Sequence, residues 1–293
     1  MEYKAQYQEY LLQATAALDA ASARFLPEES EVCRAARYSL LGGGKRIRAI
    51  LTLSVCDMLG GEMQVAAQFA AAVEMLHCYS LIHDDLPCMD DDEYRRGRLT
   101  NHKVFGEALA LLAGDALLTL AFEVMLEQKN VPAEALIETV REVAMCAGNF
   151  GMVGGQVIDL DSEGRQISEE ELRKLHAGKT GALFIAAVRS GARLSGAASD
   201  ELLALTKFAD LLGLAFQITD DILDVEGDAA QMGKAAHSDE KKHKSTYVTL
   251  YTLEGAKALA QKTVDEALGC LEMFGENAEA LREITKMMCG RKS

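Results

Sequence analysis

Residues 66–83 read Ala-Ala-Gln-Phe-Ala-Ala-Ala-Val-Glu-Met-Leu-His-Cys-Tyr-Ser-Leu-Ile-His and run straight into Asp84-Asp85-Leu86-Pro87-Cys88-Met89-Asp90-Asp91-Asp92. Apolar residues recur at Phe69, Val73, Leu76 and Ile82, with Ala filling much of the remainder, so the stretch predicts a helix buried on most sides. Pro87 disfavours an α conformation at Leu86, which should end that helix near Asp85 and leave the second acidic group on a loop. Five aspartates in nine positions repel one another. Such a run is either a solvated turn or a site for divalent cations. The apolar lead-in from Tyr79 to Ile82 brings Asp84 out of the core and favours cations. Oxygen-only ligands select hard ions such as Mg²⁺ over zinc.

Outward from this helix the same pattern repeats. Helical stretches are expected over 4–23, 31–41, 46–59, 104–127, 133–148, 169–194, 199–224, 245–273 and 277–289, and strand alternation is not seen. Breaks are expected at Gly42-Gly43-Gly44, Gly60-Gly61, Gly154-Gly155 and the charged stretch 226–244, none of which reads as a domain linker. The chain of 293 residues therefore reads as one all-α domain over 1–293, antiparallel helices around a central cavity. Composition agrees: 49% hydrophobic, 26% charged, three prolines and no Trp.

The charge balance, 30 basic against 45 acidic residues for a net −15, argues against a nucleic-acid or anionic-membrane surface. An anionic substrate would need a locally basic site or a metal. Residues 104–126 are interrupted by Glu107, Asp115 and Glu123, so no membrane span is expected there. The amino terminus shows no secretory signal, and a cytoplasmic location is the default expectation. Seven cysteines without CxxC spacing support neither a disulfide framework nor a zinc site.

A second acidic cluster is Asp220-Asp221-Ile-Leu-Asp224. On a helix Asp220 and Asp224 share a face about 6 Å apart, with Asp221 about 100° round. Charges inside this apolar pattern are costly unless they face metal or a polar cavity. Two carboxylate walls would let several cations clamp a polyphosphate. Gly42-Gly43-Gly44-Lys45-Arg46-Ile47-Arg48 is a Gly-rich turn opening a helix, either an anion site or ordinary surface residues. Gly178-Lys179-Thr180 lacks the first glycine and preceding strand of a nucleotide P-loop, which is rejected. Lys234, Lys241, Lys242 and Lys244 follow the second cluster, where a lysine run is usually a solvated loop.

Taken together, these blocks resemble the trans-isoprenyl diphosphate synthases, most like the bacterial farnesyl diphosphate synthases. The carriers are Asp84-Asp85-LPCM-Asp90 followed by Arg95-Arg96-Gly97, Asp220-Asp221-IL-Asp224, Gly43-Gly44-Lys45-Arg46-Ile47-Arg48, His77, Lys179-Thr180-Gly181-Ala182, Gly233-Lys234 and Lys244-Ser245-Thr246-Tyr247. They stand in family order. The resemblance implies condensation of isopentenyl diphosphate with dimethylallyl or geranyl diphosphate to farnesyl diphosphate, with geranylgeranyl diphosphate as the second choice of product. It implies that Asp84, Asp90 and Asp220 bind Mg²⁺, with Asp85, Asp221 and Asp224 in supporting roles, three ions per site once substrate is bound, and Mn²⁺ as a substitute. Arg95, Lys179 and Lys234 would contact the allylic diphosphate. Lys45, Arg48, His77 and Arg96 would form the isopentenyl diphosphate pocket, with Lys244 also at the substrate. Thr180 and Gln217 would sit beside the reacting carbons, and a homodimer is implied.

Product length would follow cavity depth. Tyr79, with Ser80 beside it, lies about 7.5 Å deeper than Asp84 along the helix and is either the floor of the channel or ordinary core. Where the family usually has Pro, this chain has Ala49, Leu99 and Val248, which changes backbone rigidity and leaves the ligands in place. Two rivals remain. A terpene cyclase would carry an Asn/Ser/Glu metal motif and lack the second diphosphate pocket. A non-catalytic partner subunit would have lost an aspartate cluster.

Overall fold

A helix with Ala, Leu and Met on every side has no solvent face to prefer, and the computed structural model places it at the centre. This helix, α4 (Met63–Asp84), packs against five other helices. Phe69, Val73, Met75, Leu76 and Ile82 are all buried. At about 33 Å it spans the molecule and delivers Asp84 to one end. The structure describes residues 3–227 and 245–290.

Before it come α1 (Tyr3–Phe25), α2 (Glu31–Leu40) and α3 (Ile47–Met58). After it come α5 (Asn101–Phe105), α6 (Glu107–Leu126), α7 (Ala133–Ala147), α8 (Met152–Asp161) and α9 (Glu169–His176). A π-helical turn (Ala177–Gly181) leads into α10 (Ala182–Leu194) and the long α11 (Ser199–Glu226). Then follow α12 (Tyr247–Gly269), a 3₁₀ turn (Glu272–Ala278) and α13 (Glu279–Cys289). The expected all-α bundle is observed. The main core gathers around α4, and a smaller apolar cluster of Leu172, Leu175, Ile218, Ile222 and Tyr247 lies under α9, α11 and α12.

Four local expectations are corrected. Tyr94–Arg95 and Arg98–Leu99 form a two-strand antiparallel hairpin, too short to show alternation. Gly154 and Gly155 lie inside α8 instead of breaking the chain. The expected helix over 169–194 carries the π turn in its middle, and Gly106, at φ 84, separates α5 from α6 within the expected 104–127 helix. By length and composition alone, α4, α6 and α11 are each long and apolar enough to cross a membrane, the charges in 104–126 notwithstanding.

A three-way charge cluster ties α7 to α10. Glu142 accepts from Arg189 Nε at 2.8 Å and Nη2 at 2.6 Å, and also pairs with Arg193. Burial opposes the Glu142 charge, but the two arginines prevail and hold its pKa below the ordinary 4.5. A depressed folded pKa means this stability is fully present above the unfolded value and fades as pH falls through the folded one. Glu142→Gln is therefore expected to cost about 1–2 kcal/mol at neutral pH. The gap from wild type should close in chemical denaturation below the usual carboxylate range; a gap independent of pH would rule the charge out as its source.

Candidate active site

At the end of α4 the chain reverses as Pro87 requires. Asp85 is the C-cap, and the Asp90 N–H donates to the Asp84 carbonyl at 2.9 Å, folding the acidic loop back over the helix end. Burial raises the Asp84 pKa; Asp90 and Asp159 raise it further, while Lys179 and Arg95 lower it. Asp85 is buried, and burial pushes its pKa up against the opposing pull of Arg95. The Arg95 Nε donates to Asp85 Oδ1 at 2.7 Å, and its Nη2 lies 2.6 Å from the same oxygen. Arg95, expected on a substrate phosphate, is thus turned onto Asp85.

The glycine-rich turn faces this loop. Arg96 donates to the Gly43 carbonyl, and a Cβ on Gly44, at φ 119, would sit 2.6 Å from the Arg96 guanidinium carbon. Only glycine admits that arginine. Arg96 thus ties the hairpin to the turn, and Arg98 stacks on the ring of Tyr38 in α2 at 4.1 Å. Lys45 is exposed, whereas Arg48 enters the fold and lies 5.0 Å over the Phe184 ring. Burial lowers the Arg48 pKa to about 10, and Glu74 and Asp220 pull the other way. His77 is held well below its usual value by burial and by Arg48, Arg96, Arg95 and Arg46, so it is neutral at physiological pH.

The π turn carries the third group. Gly155 of α8 approaches it so closely that a Cβ there would overlap the Lys179 backbone nitrogen. A π segment in a helix offsets the side chains that follow, as at many functional sites. Lys179 Nζ sits 2.6 Å from Asp159 Oδ2 and within the field of Asp84. Thr180 donates to Gln217 Oε1 at 3.2 Å, and Gln217 Nε2 donates to Asp221 Oδ1 at 3.0 Å. Asp221 Oδ2 accepts the Tyr247 N–H at 2.8 Å, which satisfies the first turn of α12. Asp224 is buried, and Asp220 is half-buried within the field of Arg48.

The two aspartate motifs are therefore linked through Lys179, Thr180 and Gln217, while Arg48 adds its field at Asp220 alone. Lys234 and Lys244 lie outside the described residues. Sequence reasoning missed Asp159 and Glu74, single acids in apolar helices; that isolation was their only signal. Tyr79 is buried, meets His83 edge-on at 5.7 Å, and its hydroxyl is pushed to about 12 by burial and then Asp84. Ser80 donates to the His77 carbonyl at 2.9 Å.

Among the described residues, no three acidic, His or Cys side chains converge into a closed metal cage. What is present is an oxygen-only set around Asp84 whose charges burden one another. That suits a hard cation which completes its shell with water and substrate phosphate.

Residues 29–288 match the family model described as polyprenyl synthetase. The chain is 41% identical to the farnesyl diphosphate synthase of Geobacillus stearothermophilus, covering 97% of each chain. It is 46% identical to the geranylgeranyl diphosphate synthase of Cyanophora paradoxa, over 88% of this chain and 86% of that one. An FPP/GFPP synthase structure from Zymomonas mobilis superposes with a TM-score of 0.88 at 36% identity, over 97% of this chain and 99% of the other.

Proposed function

The chain belongs to the polyprenyl synthetase family and is a short-chain trans-prenyltransferase, and we propose that it condenses isopentenyl diphosphate with dimethylallyl or geranyl diphosphate to give farnesyl diphosphate. One observation carries this reading. Two separate cationic groups flank the aspartate motifs: Lys179 on the π turn beside Asp84, and Arg48 and Arg96 around neutral His77. Two diphosphates need two such sites, whereas a cyclase needs one.

Asp84, Asp90 and Asp220 would hold Mg²⁺, three ions with substrate bound and Mn²⁺ as a substitute. When bound, the metal supplies positive charge that stabilises the departing pyrophosphate. Lys179 and Arg95 bind the allylic diphosphate, Lys179 leaving Asp159 to reach it while Arg95 stays oriented by Asp85. Asp85 and Asp221 act as supports, the first through Arg95 and the second through Gln217 and the start of α12. Lys45, Arg48, His77 and Arg96 bind isopentenyl diphosphate, with Lys234 and Lys244 assigned to the substrates by resemblance alone.

The allylic C–O bond breaks and its electron pair leaves with pyrophosphate. The double bond of isopentenyl diphosphate forms the new C–C bond, and pyrophosphate takes the proton released. Preplaced lysine and arginine favour the charge that develops in this step more than the ground state. Thr180 and Gln217, held by each other and by Asp221, orient their polar atoms beside the reacting carbons.

A homodimer, a cytoplasmic location, no nucleic-acid partner and no membrane span complete the proposal. On α6, exposed Leu111 and Leu126 continue a stripe through half-buried Leu118 and Phe122 that a second copy would cover. Against a span, the apolar windows of α4, α6 and α11 are 72%, 44% and 50% buried inside the fold.

Pyrophosphate release from geranyl diphosphate tests the reaction class. Release that requires isopentenyl diphosphate supports the synthase. Release from the allylic diphosphate alone, with a cyclic product, would make the protein a cyclase, and no release would make it a silent subunit.

A further inference from the structure

Glu74 is only 2% exposed, on the central helix, in a region otherwise made of Ala, Val, Met and Leu. A buried carboxylate is costly unless its oxygens are satisfied. Both are. Oε2 lies 3.5 Å from Nη1 of Arg46, itself buried, and Oε1 accepts the Ala49 N–H at 3.3 Å. Ala49 lies in the first turn of α3, a helix with no side-chain cap of its own. Glu74 therefore caps α3 from a neighbouring helix, where the helix dipole favours a negative charge.

Arg46 is bound at its other end too, Nη2 donating to the Leu40 carbonyl at 2.6 Å. It sits at φ 49 and ψ 35, a left-handed conformation costly for a residue with a side chain. Such a conformation persists only where the surroundings impose it, and here Leu40 and Glu74 hold the two ends of its guanidinium. That left-handed residue reverses the chain between Lys45, which stays exposed, and Arg48, which turns inward over Phe184. His77 follows Glu74 by three residues on α4 and so lies on the same face.

We infer that Glu74 is a positioning residue for the isopentenyl diphosphate pocket, fixing Lys45 and Arg48 against His77 through its hold on Arg46 and on the first turn of α3. This rests on the proposed assignment of that pocket. It also explains why the fold keeps an anion beside a site for anions. The carboxylate neutralises Arg46, which is buried between it and the Leu40 carbonyl, and leaves Lys45, Arg48 and Arg96 as the charges available to the substrate.

Glu74→Gln tests the role, because the amide keeps an oxygen for the Ala49 N–H while stripping Arg46 of its counter-ion. The expected result is a KM for isopentenyl diphosphate raised about tenfold, the size of one lost charge-assisted hydrogen bond, with KM for geranyl diphosphate unchanged. The double variant Arg46→Met/Glu74→Gln leaves no buried unpaired charge and serves if the single variant does not fold; the same selective rise is expected. Parallel changes in both KM values, or no change in either, would overturn the inference. A lower KM for isopentenyl diphosphate would also overturn it, since Glu74 would then act only through its field. Arg48→Gln run alongside separates the two levels. If it leaves that KM untouched, the pocket assignment itself fails and the inference goes with it.

Discussion

Asp84→Asn is expected to lower kcat/KM by about 10³-fold while the fold becomes no less stable. The two halves of this expectation have one cause. Burial raises the Asp84 pKa, and Asp90 and Asp159 add to the effect. A carboxyl whose folded pKa lies above its ordinary 3.8 carries a charge that costs stability at neutral pH. Asparagine keeps the shape and removes the cost, so Tm should hold or rise. Activity should collapse, because the same crowded charge is what the cation and its diphosphate require. Equal losses of Tm and activity, read by calorimetry and steady-state kinetics, would reduce Asp84 to a structural residue.

Tyr79→Ala is expected to shift the main product from fifteen carbons to twenty or more. The ring is buried on α4 about 7.5 Å along the axis before Asp84, and His83 meets it edge-on. Removing it opens space along the path a growing chain would take. A cost of about 3 kcal/mol in stability is expected from the cavity, so the variant should be assayed well below its Tm. Mass analysis of the dephosphorylated alcohols decides the matter. An unchanged farnesol profile from a folded variant would return Tyr79 to ordinary core.

The site was legible wherever composition had to be paid for locally. Aspartates emerging from an Ala- and Leu-rich helix, with a proline to stop it, leave few readings, and α4 ends where Pro87 requires. Asp220 and Asp224 stood out for the same reason, as charges in an apolar helical period. Other features depend on partners distant in sequence. A glycine pair reads equally as a break or as close packing, and only the approach of α8 to Lys179 distinguishes them. The π turn keeps a helical apolar pattern, so 177–181 looked like uninterrupted helix. Glu74 and Asp159 are single acids whose meaning lies in Arg46 and Lys179, 28 and 20 residues away. The pairing of Arg95 with Asp85 has no sequence signature either, since both belong to motifs that suggest outside ligands.

The most direct measurement is to incubate the purified protein with Mg²⁺, isopentenyl diphosphate and either dimethylallyl or geranyl diphosphate, then identify the dephosphorylated products by mass. Farnesol from both starters is the expected result, and geranylgeraniol would keep the reaction while discarding the Tyr79 floor. Failure to form any isopentenyl-dependent product from either starter would contradict the assignment of two diphosphate sites on which the mechanism depends.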